Sequence, residues 1–484
     1  MVAPNGHMCD MISQNQMKNR IYIKDLKEHA GAEVTIGAWV DVRRDQGKLI
    51  FLDFRDKTGR VQGVILPGAD SAKAIGETLR PEWVVEVRGK VNNRPEKNIQ
   101  AEKQNGDIEL EVLEIIVLNE AETPQFELGK DTREVNEDTR LKYRYLDLRT
   151  DRLQKNLRHR HKMAKLIRDI FDEEGYIEVE TPLLTKSTPE GARDFLVPSR
   201  LEKGVFYALP QSPQQYKQLL MAGGIENYFQ IAKCMRDEDS RGDRQPEFTQ
   251  MDVEASFVTE EDIMALNEKI LIDIVTKMYP EKRIQEIPFP RIPYHEAMEK
   301  YGIDRPDIRE NKEDPNLLAF CWVVDFPFFE RDTKGGWTFT HNPFSAPKQE
   351  FMETLMNAKR SDDGLEKIIA AQYDIVLNGS EIGGGSIRNH QAEALFKVFE
   401  ILGYEKEKVE NDFYHMIKAL KSGTPPHGGI AWGLDRLLML LENEPNIREV
   451  MAFPKTGEGR DPMMQAPSGV SAEQLRELNL IIKQ

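Results

Sequence analysis

From Gln250 to Phe257 the chain alternates polar and apolar side chains: Gln250, Asp252 and Glu254 on one parity, Met251, Val253, Ala255 and Phe257 on the other. Residues two apart in a strand share a face, so this period predicts a strand with one side in a core and a row of amide and carboxylate groups opposite. Such a row is either a solvated outer face or the floor of a polar site. Residues 20–119 repeat the period in short runs, "EVTIGAWV", "KLIFLDFRD", "RVQGVIL", "WVVEVRGKV" and "DIELEVLEIIVL", with the turn signal "DKTG" between the second and third. Five such strands suit a small closed barrel, and the OB-fold is the barrel of this kind that binds oligonucleotides. Phe51 takes the parity opposite to Ile50 and Leu52. It is either an exposed platform for an unpaired base or a core residue whose neighbours face out.

The period then changes. Residues 120–150 hold Pro124 and many charges and read as a hinge. Met163, Leu166, Ile167, Ile170 and Phe171 recur at helical spacing, with Gly175 as a cap. "YIEVETP" predicts a strand ending at Pro182, and mixed helices and strands follow. The organisation read from these patterns is a polar tail (1–19), an all-β barrel (20–119), a hinge (120–150) and an α+β domain (151–484).

Composition narrows the class. The chain has 484 residues, 39% hydrophobic and 31% charged, which leaves ample room for buried cores. No run is long and apolar enough to span a bilayer, and the first twenty residues carry neither a secretory nor a transit pattern. Cys9, Cys234 and Cys321 form no disulfide framework and no zinc pattern, so a reducing cytoplasm is the default setting. A net charge of −16 argues against a general nucleic-acid binder but leaves room for a local basic patch. "RLQKNLRHRHKMAK", 152–165, is either such a patch or the solvated face of a helix.

Three further stretches carry candidate chemistry. In "PQSPQQYKQ", Gln214 and Lys217 lie three apart and would share a helix face. In "YDIVLNGSEIGGGSIR", a strand runs through Glu381 and three glycines to Arg388; the glycines either admit a close backbone approach or form a bulge. In "GGIAWGLDRLLMLL", a strand passes through Gly433 into a helix with Arg436 in its first turn. A cation there opposes the helix dipole. Either an anion such as a phosphate sits at that end, or Arg436 pairs with Asp435 or another carboxylate.

With "ETPLLTKSTPEGARDFLVPSR" and "MRDEDSRGDRQPEFTQMDVE", these stretches resemble the bacterial-type aspartyl-tRNA synthetases, which are class II aminoacyl-tRNA synthetases, over nearly everything from residue 20 onward. The resemblance implies an OB-fold anticodon-binding barrel and an α+β catalytic domain on an antiparallel sheet. It also implies ATP and Mg²⁺, L-aspartate and tRNA-Asp as substrates, and a homodimer built on the strand ending at Pro182. By resemblance, Arg236 and Arg436 are the catalytic arginines, at the two ends of the ATP triphosphate. Asp237, Glu238, Gln245, Glu381, Gly433, Leu434 and Asp435 join them in the ATP site, and Asp374 and Glu381 hold the metal. Glu190, Gln214, Lys217, His341 and Arg388 bind aspartate with Arg236, the Lys217 and Arg388 cations gripping its side-chain carboxylate. A cationic pocket of this kind rejects asparagine, whose amide would turn NH₂ toward positive donors. Phe51, Gln62 and Glu109 match anticodon-contacting positions.

The chain departs from that family twice. An extra domain usual between its second and third motifs is missing near residues 303–318. Gln46 stands where the family tends to have leucine or histidine, which leaves open whether tRNA-Asn is charged as well. A catalytically dead relative would have no use for both phosphate arginines, and a tRNA-independent aspartate-activating enzyme no use for the barrel.

Overall fold

The computed structural model describes residues 19–187 and 191–482, and the chain divides into two compact units, 1–139 and 140–484. In the first unit, β1 (Glu33–Gln46), β2 (Leu49–Asp56), β3 (Gly59–Ile65), β4 (Val84–Asn93) and β5 (Ile108–Asn119) close a barrel in the order β1-β2-β3-β5-β4. Its interior is the apolar parity of each strand, including Val34, Ile36, Val40, Ile50, Leu52, Phe54, Leu110 and Val112. Phe51 therefore faces outward, which resolves its two readings in favour of the exposed one.

The second unit is built on one sheet. Its strands are β6 (Ile177–Glu178), β7 (Asn227–Met235), β8 (Glu247–Ser256), β9 (Arg291–Pro293), β10 (Phe320–Val324), β11 (Gln372–Leu377), β12 (Ser380–Ile387) and β13 (His427–Gly433). They lie in the order β9-β10-β11-β12-β13-β8-β7-β6, with every pairing antiparallel except those of the edge strands β9 and β6. The helices used below are α1 (Asp151–Glu173), α2 (Gln214–Ala222), α3 (Glu260–Met278), α4 (Tyr414–Leu420) and α5 (Leu434–Leu441).

One face of the sheet is covered and the other left open. Met251, Val253 and Ala255 join Ile430, Trp432 and Ile375 in a core with Met163, Ile167 and Phe171 of α1 and Ile270, Leu271 and Ile274 of α3. α1 ends where Gly175 takes a left-handed φ of 78°, as its spacing predicts. A capping box of Thr259 and Asp262 starts α3.

Three expectations need correction, and the basic stretch 152–165 is the partly solvated, ion-paired face of a helix. Phe257 is not core: β8 ends at Ser256, Phe257 takes a left-handed φ of 59°, and its ring is exposed. "YIEVETP" supplies only the two-residue strand β6. Residues 140–150, read as hinge, pack into the second unit: Arg140 bonds Glu449 at 2.9 Å, and the Arg144 guanidinium donates to the carbonyls of Arg448, Met451 and Ala452. The basic stretch 152–165 is largely neutralised within its own unit, Arg152 by Glu444 and Glu449, Lys155 by Glu442, Arg160 by Asp435 and Lys165 by Asp169. Near residues 303–318, where the family's extra domain is missing, the helix ending at Tyr301 turns at Gly302 and a short loop, pinned by Asp307 on Arg309, leads to Leu317.

This buried charge has a pH signature. Burial pushes Glu449 up, but Arg140 and Arg152 together outweigh it and hold the carboxyl at about 2. A depressed carboxyl stabilises the fold fully above its unfolded value near 4.5, and that stabilisation is lost as pH falls through about 2. We expect roughly 3 kcal/mol from this group at neutral pH. Urea melts from pH 6 to 3 should show stability falling below pH 4.5, with a shallower fall in Glu449→Gln.

Candidate active site

A cleft of about 620 Å³ opens on the uncovered face of the sheet. The residue pattern of β8 builds its floor. Phe248, Gln250 and Asp252 line it, and Glu254 lies fully buried on the same parity. α2 adds Gln214 and Lys217, one helical turn apart. The rest of its lining includes Arg236, Glu238, Gln245, His341, Asp374, Glu381, Arg388, Gly433, Asp435 and Arg436. Most of the side chains that the sequence marked, scattered over more than two hundred positions, thus converge.

At the deep end Lys217 Nζ lies 2.7 Å from Asp252 Oδ1 and 3.1 Å from Glu254 Oε2. Arg388 donates from Nε to Glu254 Oε1 at 2.9 Å and from Nη1 to Ser386 Oγ at 2.8 Å. Both cations are nearly inaccessible. They are therefore not free charges awaiting a ligand; each is already compensated, because a buried cation without a partner would be prohibitively costly. Burial pushes Glu254 up, yet Arg388 and Lys217 outweigh it and leave the carboxyl at about 2. Asp252 is pushed up by burial despite Lys217, and its Oδ2 has no hydrogen-bond partner.

Arg236 differs in kind. Its Nε donates to the Gln211 carbonyl at 3.3 Å, its guanidinium lies 5.2 Å from the centre of the Phe248 ring, and no carboxylate among the described residues pairs with it. It is a held fork facing the cleft, with no neutralising partner among the described residues. Arg436 stands at the start of α5 and pairs with the Asp243 carboxylate at 3.1 Å, while its Nη1 bonds the Glu381 carbonyl. Of the two carboxylates open to it in sequence terms, Asp435 or another, Arg436 takes another, Asp243. Asp435 serves elsewhere, accepting from Arg160 and from the Thr249 backbone N–H at 2.7 Å.

Asp374 and Glu381 come from the adjoining strands β11 and β12. Burial and the Glu381 charge raise the Asp374 carboxyl well above the usual range, and its Oδ1 has no hydrogen-bond partner. His341 Nε2 is 3.7 Å from Asp374 Oδ2, and burial lowers its pKa against the pull of Glu381. The glycine triplet explains how the strands fit. A Cβ on Gly383 or Gly385 would meet the carbonyl oxygen of Ala431 at 2.6 Å or of Gly429 at 2.2 Å, whereas one on Gly384 would meet Asp374 Oδ1 at 2.6 Å.

Two expected ligand residues are not in the cleft wall. Leu434 is buried in the sheet–helix core, where the apolar face of α5 requires it. Asp237 is half exposed and pairs with Arg193 outside the wall. Glu190 lies outside the described residues. Phe248 and Asp243 were overlooked; Phe248 shares the parity of Gln250 and Asp252, so the alternation already pointed to it.

On the barrel, Phe51, Gln62 and Glu109 face outward from the three neighbouring strands β2, β3 and β5. The buried Arg94 donates to Gln62 Oε1 at 2.8 Å and lies 3.9 Å from Glu109. This fixes the Gln62 amide with its NH₂ free to donate.

An antiparallel sheet with arginine forks over its open face, in a chain that also carries an OB barrel, is the architecture of a class II synthetase. A family profile described as tRNA synthetases class II (D, K and N) matches residues 136–457, and one described as an OB-fold nucleic acid binding domain matches residues 34–118. The chain belongs to the class II tRNA synthetases of this D, K and N group. An aspartate–tRNA(Asp/Asn) ligase of Rubrobacter xylanophilus is 40% identical over 576 aligned residues, covering 93% of this chain and 95% of its own. An aspartate–tRNA ligase of Macrococcus caseolyticus is 39% identical over 581, covering 94% and 96%. Both alignments are longer than this chain of 484 residues, so both relatives carry residues that face a gap here. Among solved structures, the asparaginyl-tRNA synthetase of Pyrococcus horikoshii complexed with asparaginyl-adenylate has a TM-score of 0.72 at 21% identity, covering 90% of this chain and 98% of its own. The aspartyl tRNA synthetase of Entamoeba histolytica has 0.69 at 23%, covering 90% and 91%. These two share the fold. Among the described residues no helix is long and apolar enough to cross a membrane.

Proposed function

We propose that this protein is an aspartate–tRNA ligase, which joins L-aspartate to ATP as aspartyl-adenylate and passes it to the 3′ end of tRNA-Asp. The observation that carries this reading is the placement of two buried cations, Lys217 and Arg388, at the deep end of a cleft that also holds the fork of Arg236, which no described carboxylate neutralises. The first gives ammonium and guanidinium donors, held in place by Asp252 and Glu254, suited to a side-chain carboxylate. The second gives a fork where two anions must meet.

In the first step the α-carboxylate of aspartate attacks the α-phosphorus of ATP and pyrophosphate leaves. The nucleophile is already ionised, so no general base is required. What the protein must supply is alignment and charge stabilisation. Arg236 would bridge the α-phosphate and the attacking carboxylate, Gln214 would help hold the amino acid, and Arg436 would take the far end of the triphosphate. In the second step a ribose hydroxyl of the terminal adenosine attacks the acyl carbon and AMP leaves, its phosphate able to take the proton.

Mg²⁺ suits the chemistry of Asp374 and Glu381. Two carboxylates with an unpartnered buried oxygen form a poor closed cage but a good half-shell for a hard cation shared with phosphate oxygens. Bound there, the ion would neutralise phosphate charge. The exposed Ile177, Leu183 and Leu184, beside the edge strand β6, fit a homodimer. A cytoplasmic setting fits such a role.

The test is aspartate charging of purified tRNA-Asp and tRNA-Asn side by side. Charging of tRNA-Asp is expected; charging of both would make the enzyme non-discriminating. No aspartate-dependent pyrophosphate exchange at all would end this reading. Phe51→Ala should weaken tRNA charging by the stacking of one base, about 1–3 kcal/mol or roughly 5- to 150-fold in kcat/KM, while pyrophosphate exchange is unchanged. Equal loss of both reactions would refute the role of Phe51 on the barrel.

A further inference from the structure

A second cavity, of about 300 Å³, lies on the other side of α2 from the cleft. The helix divides the two. Gln214 and Lys217 face the cleft, while Gln215, Tyr216 and Leu219 face the second cavity. His415 of α4 and Lys186 also belong to its lining. His415 and Gln215 are hydrogen-bonded directly to each other.

The chemistry of this cavity is lopsided. Its walls combine apolar surface from Leu209, Pro210, Leu219 and the Tyr216 ring with donors whose capacity is unspent. The buried Gln215 amide nitrogen has no hydrogen-bond partner. The exposed Lys186, at the cavity's edge, makes two long bonds among the described residues, 3.3 Å each, to the carbonyls of Asn411 and Asp412, and no described carboxylate pairs with it. Its charge is felt inside: burial, and then Lys186, lower the pKa of His415. The one carboxylate among the described wall residues, Asp194, accepts from the Ser187 hydroxyl and the Gln211 amide, so both of its oxygens are occupied. A small, largely apolar cavity with a cation at its edge and an unspent amide donor inside favours a ligand with an apolar body and a single negative acceptor.

We propose that this cavity is a binding site for a small carboxylic acid with a compact apolar body, separate from the catalytic cleft. This does not depend on the proposed function. Gln211 makes it a consequential neighbour: its side chain clamps Ala192 through both backbone groups, and its carbonyl holds Arg236.

The probe is 4-fluorobenzoate, followed by fluorine NMR line broadening against the full-length protein. Weak, saturable binding in the low-millimolar range is expected. Lys186→Met should weaken it at least about fivefold by removing the charge and keeping the stem. Leu219→Trp, which fills the cavity, should abolish it. Arg236→Ala, which removes a cation from the cleft, should leave it unchanged. Failure to bind, binding unaffected by Lys186→Met, or binding lost only in Arg236→Ala would overturn the proposal. So would equal binding of the uncharged 4-fluorobenzamide.

Discussion

Lys217→Met is expected to reduce aspartate-dependent pyrophosphate exchange by at least about 10³-fold and to lower the stability of the protein by roughly 3–5 kcal/mol. The two losses have one origin. Lys217 is the hydrogen-bonded partner of Asp252 and the second cation on Glu254, and all three side chains are buried. Its removal deletes a cation that would meet the substrate carboxylate and also strands Asp252, whose other oxygen already lacks a partner. The double variant Lys217→Met/Asp252→Asn separates these effects, because it removes the stranded charge along with its cause. Denaturant melts should show much of the stability returning, while exchange stays near background. If the double variant recovered activity as well, Lys217 would be structural only.

Arg236→Lys should have the opposite balance: exchange down by roughly 10²–10³-fold, stability within about 0.5 kcal/mol of the parent. No described carboxylate depends on Arg236, so no described charge is stranded by the change. What is lost is the planar fork that can engage phosphate and carboxylate together, which an ammonium cannot reproduce. The loss should appear in kcat more than in KM for ATP, since the fork is needed most as charge shifts between the two anions. A variant that lost stability in step with activity, or changed only KM, would count against this role.

The contrast between these two residues also marks what the sequence could disclose. Alternation alone located the barrel strands and the polar face of β8, because burial on one side of a sheet enforces a period of two. It did not foresee that Phe257 leaves the pattern, since the turn after Ser256 overrides the parity. Resemblance placed Lys217 and Arg388 in the cleft, and they are there. It could not say that Asp252 and Glu254 already occupy them, because pairing across 134 positions between Arg388 and Glu254 is a matter of sheet order. Leu434 and Asp237 lie outside the cleft wall for a local reason: within a run of marked residues, neighbouring side chains on a helix or turn point in different directions, and motif membership does not decide which one faces the cleft.

The stretch Gly383–Gly384–Gly385 has a bearing on how this chain can change over time. The outer two are spacers, set by the distance to a neighbouring main chain that has no rotamer in which to retreat. The middle one is a seat for the Asp374 carboxylate. A methyl at an outer position would have to pry two strands apart, whereas a methyl at the middle position would leave the sheet standing and unseat a single acid. Three identical letters thus guard two different properties, so drift along this strand is blocked at every step, and for alternating reasons.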